Sequence, residues 1–290
     1  MKPIVFLGGG RITSALIEGL RRSGYRETIV VHDRNPVKLR ALRRKFKVEI
    51  APDLAQSVGA APFPFRGGCD PMHSGLLVIA VRPPDVRDLL HHLPQKQFTA
   101  VSLAAGIPLK ALRTWCPQAT WCRAMPSPVC RSGHGLTALT WDRRMPSAIR
   151  RQFRELFTRV GSVLELPESQ FDAFTVVYSS SHGYHALSAL ADAALKAGLD
   201  RRTALRVAAH ALEDGIRYWR EEAADLKHLL HEAATPGGIA ATTMAAMDRA
   251  GYRQAVAQGV RAGLARARQQ ASRQSHPAAR RNSRITRTTR

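Results

Sequence analysis

Residues Lys2 to Leu20 read KPIVFLGGGRITSALIEGL, and no other stretch limits the possible folds so tightly. Ile4, Val5, Phe6 and Leu7 form a continuous apolar run, the pattern of a strand buried on both faces. Gly8, Gly9 and Gly10 follow without a break. Ala15, Leu16 and Leu20 then recur at helical spacing, with Ile17 filling the same broad face. A strand that turns through glycine into a helix is the context in which a G-x-G motif receives the diphosphate of a dinucleotide. Gly8 permits the tight turn and Gly10 lets a pyrophosphate approach the backbone. The helix N-terminus offers unpaired N–H groups and the positive end of its dipole. Thr13 stands where a third glycine is usual, which predicts a helix slightly further from its strand.

The next apolar or β-branched run, Thr28 to Val31, leads to Asp33, 25 positions after Gly8. That spacing suits an acid that binds the adenosine ribose. Arg34 beside it would lie over the adenine or meet a 2′-phosphate, whereas the Asp33 carboxylate repels that phosphate, so both NADP and NAD stay open. Strand endings line the cofactor cleft of open α/β sheets. The remaining cofactor contacts are therefore expected from Arg11 and Ile12 in the first helical turn, from Ala80, Val81, Arg82 and Pro83 after the LLVIAV run, and from Ala105 in the loop after 98–103.

Strands and helices alternate as far as residue 166. Helices are expected at 36–45, capped by Asn35, and at 53–58, 86–92, 109–115 and 146–159; strands at 48–50, 76–81, 98–103, 120–124, 136–140 and 162–166. Residues 60–74, AAPFPFRGGCDPMHS, fit neither period and read as an inserted loop. Phe63 and Phe65 there are candidates to cap a site or a subunit contact, against a surface loop with no function. From 167 only helical segments follow, at 184–197, 201–222, 226–233, 239–250 and 252–270, apart from an ambiguous Phe174–Tyr178. The expected architecture is an α/β dinucleotide-binding domain over 1–166, an all-α domain over 167–270 and a disordered basic tail over 271–290.

The formal charge of +22 raises nucleic acid as a partner, but nine arginines and no acid fall between Arg261 and Arg290, and the sequence holds no recognised nucleic-acid module. General arginine bias is the favoured explanation. Apolar stretches are too short for a membrane span. Met1-Lys2-Pro3 leads straight into the first strand, which points to a cytoplasmic protein. Cys69, Cys116, Cys122 and Cys130 lack metal-ligand spacing and read as reduced thiols, with no metal expected.

In order and spacing, LGGGRITSALIEGL, HDRNPVKLRAL, IAVRPPDV, SLAAGIPL, RAMPSPVCRSGHGLTAL, ALADAALKAGL and TPGGIAATTMAAMDRAGYRQAV together resemble pyrroline-5-carboxylate reductase over residues 3 to about 268. The resemblance implies a Rossmann domain followed by a helical domain that dimerises, and reduction of a small anionic cyclic imine by NAD(P)H. A protonated C=N is already electrophilic, so the protein has mainly to hold the ring and bind its carboxylate. In the family a Ser/Gly-rich loop and the turn before a late helix do so. The matching segments are Ser179-Ser180-Ser181-His182 and Thr235-Pro236-Gly237-Gly238, with substrate contacts implied for Ser179, Ser180, Ser181, Thr235, Gly237 and Gly238.

The departures cluster in those segments. The family's S-G-S-G-P-A-Y loop has serine for glycine and His182 for proline, and the family's M-P-N-T-P reads Met125-Pro126-Ser127-Pro128-Val129. His134 replaces a glutamate, and the hydroxyl expected after the double glycine falls at Ala240. Thr243, three residues on and on the same helix face, is the candidate substitute, with Thr242 beside it. His182 is the candidate proton donor to an imine nitrogen. Two further readings follow from the departures: a nucleotide-binding paralogue without turnover, and a reductase of another imine or carbonyl compound. Lys110, Lys196 and Lys227 stand in no recognisable catalytic context, against a lysine-dependent hydroxyacid dehydrogenase.

Overall fold

The structure is a computed structural model and describes residues 4–51, 54, 76–93 and 97–275. The helix expected at 53–58, except Leu54, the insertion at 60–74 with Phe63, Phe65 and Cys69, and the tail beyond residue 275 lie outside the described residues.

Among the described residues eight strands form one sheet: β1 (Ile4–Leu7), β2 (Ile29–His32), β3 (Glu49–Ile50), β4 (Leu76–Ile79), β5 (Phe98–Ser102), β6 (Ala119–Met125), β7 (Gly135–Trp141) and β8 (Gly161–Glu165). Their order is β3-β2-β1-β4-β5-β6-β7-β8, parallel from β3 to β6. β7 then pairs antiparallel with β6, and β8 parallel with β7. The order reverses between β1 and β4, the switch point at which open α/β sheets bind ligands. The helices of this part are α1 (Arg11–Arg22), α2 (Pro36–Phe46), α3 (Pro83–His91), α4 (Leu109–Trp115) and α5 (Ser147–Thr158). They cover both faces. Ile4, Phe6, Val31 and Val78 pack with α1, α2 and α5, whereas Val5, Leu7, Leu77 and Ile79 pack with α3 and α4. That is why the central strands are continuously apolar.

The helices that follow are α6 (Glu168–Val177), α7 (Ser180–Lys196), α8 (Arg201–Glu222), α9 (Leu226–Ala233), α10 (Ile239–Arg249) and α11 (Tyr252–Ser275). Of Phe174–Tyr178, read as an ambiguous strand, all but Tyr178 belongs to α6, whose start is anchored where Arg123 on β6 pairs with Glu168 and Asp172 and stacks over Phe171. Helix α11 runs five residues past 270, where the disordered tail was expected to begin. Contacts divide the chain into one compact unit up to Thr175 together with the segment from Leu264, and a second from Val176 to Gly263. The expected boundary lay between 166 and 167, so most of α6 groups with the sheet.

Candidate active site

Three strand ends meet at the switch point. The Gly8 N–H donates to the His32 carbonyl (2.7 Å) and the Ala80 N–H to the Leu7 carbonyl (2.8 Å). Gly8 has φ +111°, and a Cβ there would lie 2.6 Å from the Ala80 oxygen. Only glycine lets β1 and the end of β4 come this close. Gly10 caps α1 with no side-chain partner, and a Cβ at Gly10 would meet open space. The first-turn N–H groups of Arg11 and Ile12 have no protein acceptor among the described residues, the arrangement that receives an anion.

Thr13 does not hold α1 away from the turn. It is fully buried, and its hydroxyl donates to the Gly8 carbonyl at 2.6 Å, so the hydroxyl braces the turn where a third glycine would only have made room. The close helix approach falls at Gly19, whose Cβ would lie 2.3 Å from the Cys130 oxygen in the 3₁₀ turn Pro128–Ser132.

A cleft of about 690 Å³ opens beside the turn. Gly8, Gly10, Asp33, Arg34, Ala80, Val81 and Arg82 line it. Arg11, Ile12, Pro83 and Ala105 are not among its lining residues. Asp33 is engaged on both oxygens, accepting from the Gly9 N–H (2.7 Å) and the Asn35 N–H (2.8 Å), with Lys38 Nζ at 3.9 Å. It thereby ties the glycine turn to the end of β2. Arg34 reaches across to Asp85 on α3 (3.0 Å), and Arg82 Nε meets the other oxygen of Asp85 (3.3 Å). Sequence reasoning missed the α3 wall of Asp85, Asp88, Leu89 and His92. Their spacing of three, four and seven after Asp85 puts them on one helical face and was the available signal.

In the second unit, α7 begins at Ser180, four residues earlier than expected. Ser179 is its N-cap, bonding Ser181 through both hydroxyls (2.7 Å) and accepting from the Ser181 N–H (3.4 Å). Ser180, Ser181 and His182 thus lie in a first helical turn and not in a loop. His182 Nε2 lies 3.1 Å from the Val176 carbonyl, so in this geometry that nitrogen carries a proton and donates it there. Thr235 to Gly238 form a turn in which the Gly238 N–H donates to the Thr235 carbonyl (2.9 Å) and Gly237 has φ +76°. Gly238 caps α10 without a side-chain partner. The Thr242 and Thr243 hydroxyls donate to the Gly238 and Ile239 carbonyls (3.1 and 2.9 Å), so each proton is held by the helix backbone. Among the described residues no hydrogen bond joins the Ser179 segment to the Thr235 segment.

A buried ion cluster also went unread. Arg123, 2% exposed, pairs with Glu168 (3.0 Å) and Asp172 (3.4 Å), while Glu168 accepts the Leu109 N–H (2.6 Å) at the start of α4. The three described cysteines are free. Burial pushes the Cys116 thiol up to about 11 and the Cys130 thiol to about 12, and raises Cys122 well above its usual range. None is a thiolate nucleophile at neutral pH. No group of side chains among the described residues suits a metal ion, and no described helix is long and apolar enough to cross a membrane.

A doubly wound sheet with a glycine-built anion site at its switch point, together with a helical unit, defines the class of two-part dinucleotide-binding proteins. The family profile for NADP oxidoreductase, coenzyme F420-dependent, matches residues 3–106, and that for pyrroline-5-carboxylate reductase dimerisation matches 168–270. The pyrroline-5-carboxylate reductase of Mycobacterium leprae is 30% identical over 93% of this chain and 97% of its own length. That of Thermus thermophilus is 31% identical over 91% and 96%. The chain belongs to the pyrroline-5-carboxylate reductase family. Its fold is that of the Streptococcus pyogenes enzyme, with a TM-score of 0.80 at 21% identity over 92% of this chain and 98% of that one. A Plasmodium falciparum pyrroline carboxylate reductase with NADP bound superposes with a TM-score of 0.79 at 17% identity over 93% and 98%.

Proposed function

We infer that the protein reduces 1-pyrroline-5-carboxylate to proline at the expense of NADPH or NADH. The observation that carries this reading is the glycine turn, whose helix N–H groups have no protein acceptor among the described residues, at the switch point of a chain related over nine-tenths of its length to reductases of this imine. Gly8, Gly10 and the first turn of α1 hold the diphosphate, while Asp33, Arg34 and the α3 wall bound the adenosine end. When bound, the nicotinamide supplies a hydride. The carbon of the protonated C=N would take it up, the π electrons of that bond would become the nitrogen lone pair, and the nitrogen, keeping its proton, would remain in the ring as a secondary amine.

Little side-chain chemistry is needed. The carboxylate of the imine is assigned to the first-turn N–H groups of α10, left without a side-chain cap at Gly238, and to the Ser179 to Ser181 hydroxyls, both at helix N-termini. Thr243 serves at most as a lone-pair acceptor, because its proton is held by Ile239. Proton supply falls to an imine that arrives protonated or to solvent, since His182 Nε2 is turned to Val176. The helical unit carries the self-association surface: Leu205, Ile216, Tyr218 and Trp219 of α8 are all exposed on the single chain. The protein is accordingly assigned as a homodimer or higher homo-oligomer.

The test is nucleotide oxidation by purified protein given pyrroline-5-carboxylate with NADPH or NADH. Turnover supports the reading. Nucleotide binding without turnover selects the non-catalytic paralogue, to which the missing hydroxyl at Ala240 and the engaged Thr243 hydroxyl lend weight. Turnover confined to other imines selects a different substrate.

A further inference from the structure

Resting on the nucleotide-binding role of the cleft, we propose that Asp85 sets the choice between the two nicotinamide nucleotides by competing with a 2′-phosphate for Arg34 and Arg82.

Asp85 stands in the first turn of α3, on the wall between the ends of β2 and β4, and lines the cleft. One oxygen takes Arg34 Nη2 at 3.0 Å and the other takes Arg82 Nε at 3.3 Å. The aspartate side chain is 27% exposed, against 77% and 82% for the arginines. The carboxylate is thus the less exposed member, and two well-exposed cations meet it, one from the end of β2 and one from the end of β4. The end of β2, where Arg34 follows Asp33, is where a dinucleotide places its adenosine ribose.

The other charges on this wall supply no surplus for a phosphate. Lys38 sits beside Asp33 at 3.9 Å, and Asp88 adds a further acid. The formal charges of Arg34, Lys38 and Arg82 are cancelled by those of Asp33, Asp85 and Asp88. The two lining histidines turn Nδ1 to backbone oxygens, His32 to Ala51 (2.9 Å) and His92 to Asp88 (2.8 Å). A ribose diol meets a cleft that is neutral as it stands, and Asp33 keeps lone pairs beyond the two N–H bonds it accepts. A 2′-phosphate brings up to two negative charges and gains charge-assisted bonds only if the arginines leave Asp85. Arg34 and Arg82 are present for NADPH, and Asp85 holds them back.

Asp85→Asn keeps the size and polarity of the side chain while removing its charge. Titration of the purified full-length chain with NADPH and NADH, without imine, reads the ratio of their affinities directly. The NADPH-to-NADH affinity ratio should rise about tenfold in Asp85→Asn, the release of two exposed ion pairs. Arg34→Ala should move the ratio the other way, and adenosine 2′,5′-bisphosphate against AMP should repeat both trends. An unchanged or lowered ratio in Asp85→Asn overturns the proposal, as does failure of either nucleotide to bind. Loss of the ratio effect in a protein that still turns over pyrroline-5-carboxylate defeats this inference alone. An intact ratio effect without turnover defeats only the assigned reaction.

Discussion

Helices α1 and α8 show how differently the two units are built. Twelve-residue α1 buries Thr13, Ala15, Leu16, Ile17, Gly19 and Leu20, whereas 22-residue α8 buries only Ala204 and Ala208 and leaves Leu205, Val207, Ile216, Tyr218 and Trp219 exposed. The sheet unit spends its apolar surface on its own core, and its described residues alone form the cleft at the switch point. The helical unit leaves large apolar side chains uncovered, as a surface made for a second copy does. One unit carries information about a ligand, the other about an assembly, and substitutions should separate them.

The largest separation is expected from Gly8→Ala. Its methyl group would press on the Ala80 carbonyl at 2.6 Å from a backbone at φ +111°. Nucleotide affinity should fall roughly a hundredfold, with a stability loss on the order of 2–3 kcal/mol, while oligomer size stays as in the parent. Titration calorimetry and light scattering on one preparation check both halves. If the variant binds NADPH normally, the glycine turn is not where the diphosphate lies.

The reciprocal change is Ile216→Asp on α8, which is 53% exposed on the single chain. A buried charge at an association surface should weaken self-association by roughly thirtyfold and leave nucleotide affinity within about twofold. Sedimentation across a concentration series reads the first effect. An unaltered oligomer would move the association surface to another face of the unit.

The units also differ in where sequence reading succeeded. Asp200 and Asp225 accept from the first-turn N–H groups of α8 and α9, and both helices begin and end where the helical periodicity places them. The glycine turn was legible because its residue types are dictated by local backbone geometry. Helix α6 was not legible at Phe174–Val177, since β-branched residues there favour a strand and the deciding contacts come from Arg123, 45 residues away from Glu168. Asp85, opposite Arg34 across 51 residues, escaped for the same reason. Thr13 was misjudged because a missing glycine was read as lost space, when its hydroxyl makes a bond that glycine cannot make.

Alkaline pH should distinguish the units by a smaller margin. The groups pushed upward by burial, Tyr25 and Cys130 to about 12, Cys116 to about 11, and Cys122, all belong to the sheet unit. Each has a folded value above its unfolded one, so the stability it lends is complete below the unfolded value. That stability is lost as pH rises through the folded value. The sheet unit should weaken between about pH 9 and 12, by on the order of 1 kcal/mol per group once solvent screening is allowed for. The shifted groups of the helical unit, Asp200 lowered by its bonds to Thr203 and Arg217 raised by Glu213, are exposed and outside that window. Cys130→Ala should flatten part of the alkaline loss in the near-ultraviolet signal of Trp121 and Trp141, and an unflattened curve removes Cys130 from the explanation.

The smallest effect is expected at Thr243, where sequence reasoning placed a substitute for the hydroxyl absent from Ala240. On the next turn of α10 the geometry is right for sharing a face, but sharing a face does not free a proton. The Thr243 Oγ1 proton is directed to the Ile239 carbonyl at 2.9 Å, and donation to a substrate carboxylate would break that bond for one of similar strength. The first-turn N–H groups of α10, left without a side-chain cap at Gly238, face no such competition among the described residues. Thr243→Val, which keeps the shape and removes the hydroxyl, should therefore change kcat/KM by less than about threefold. Thr243→Ser should be indistinguishable from the parent. A fall of a hundredfold in Thr243→Val that Thr243→Ser restores would return the hydroxyl to the reaction and take the carboxylate away from the backbone of α10.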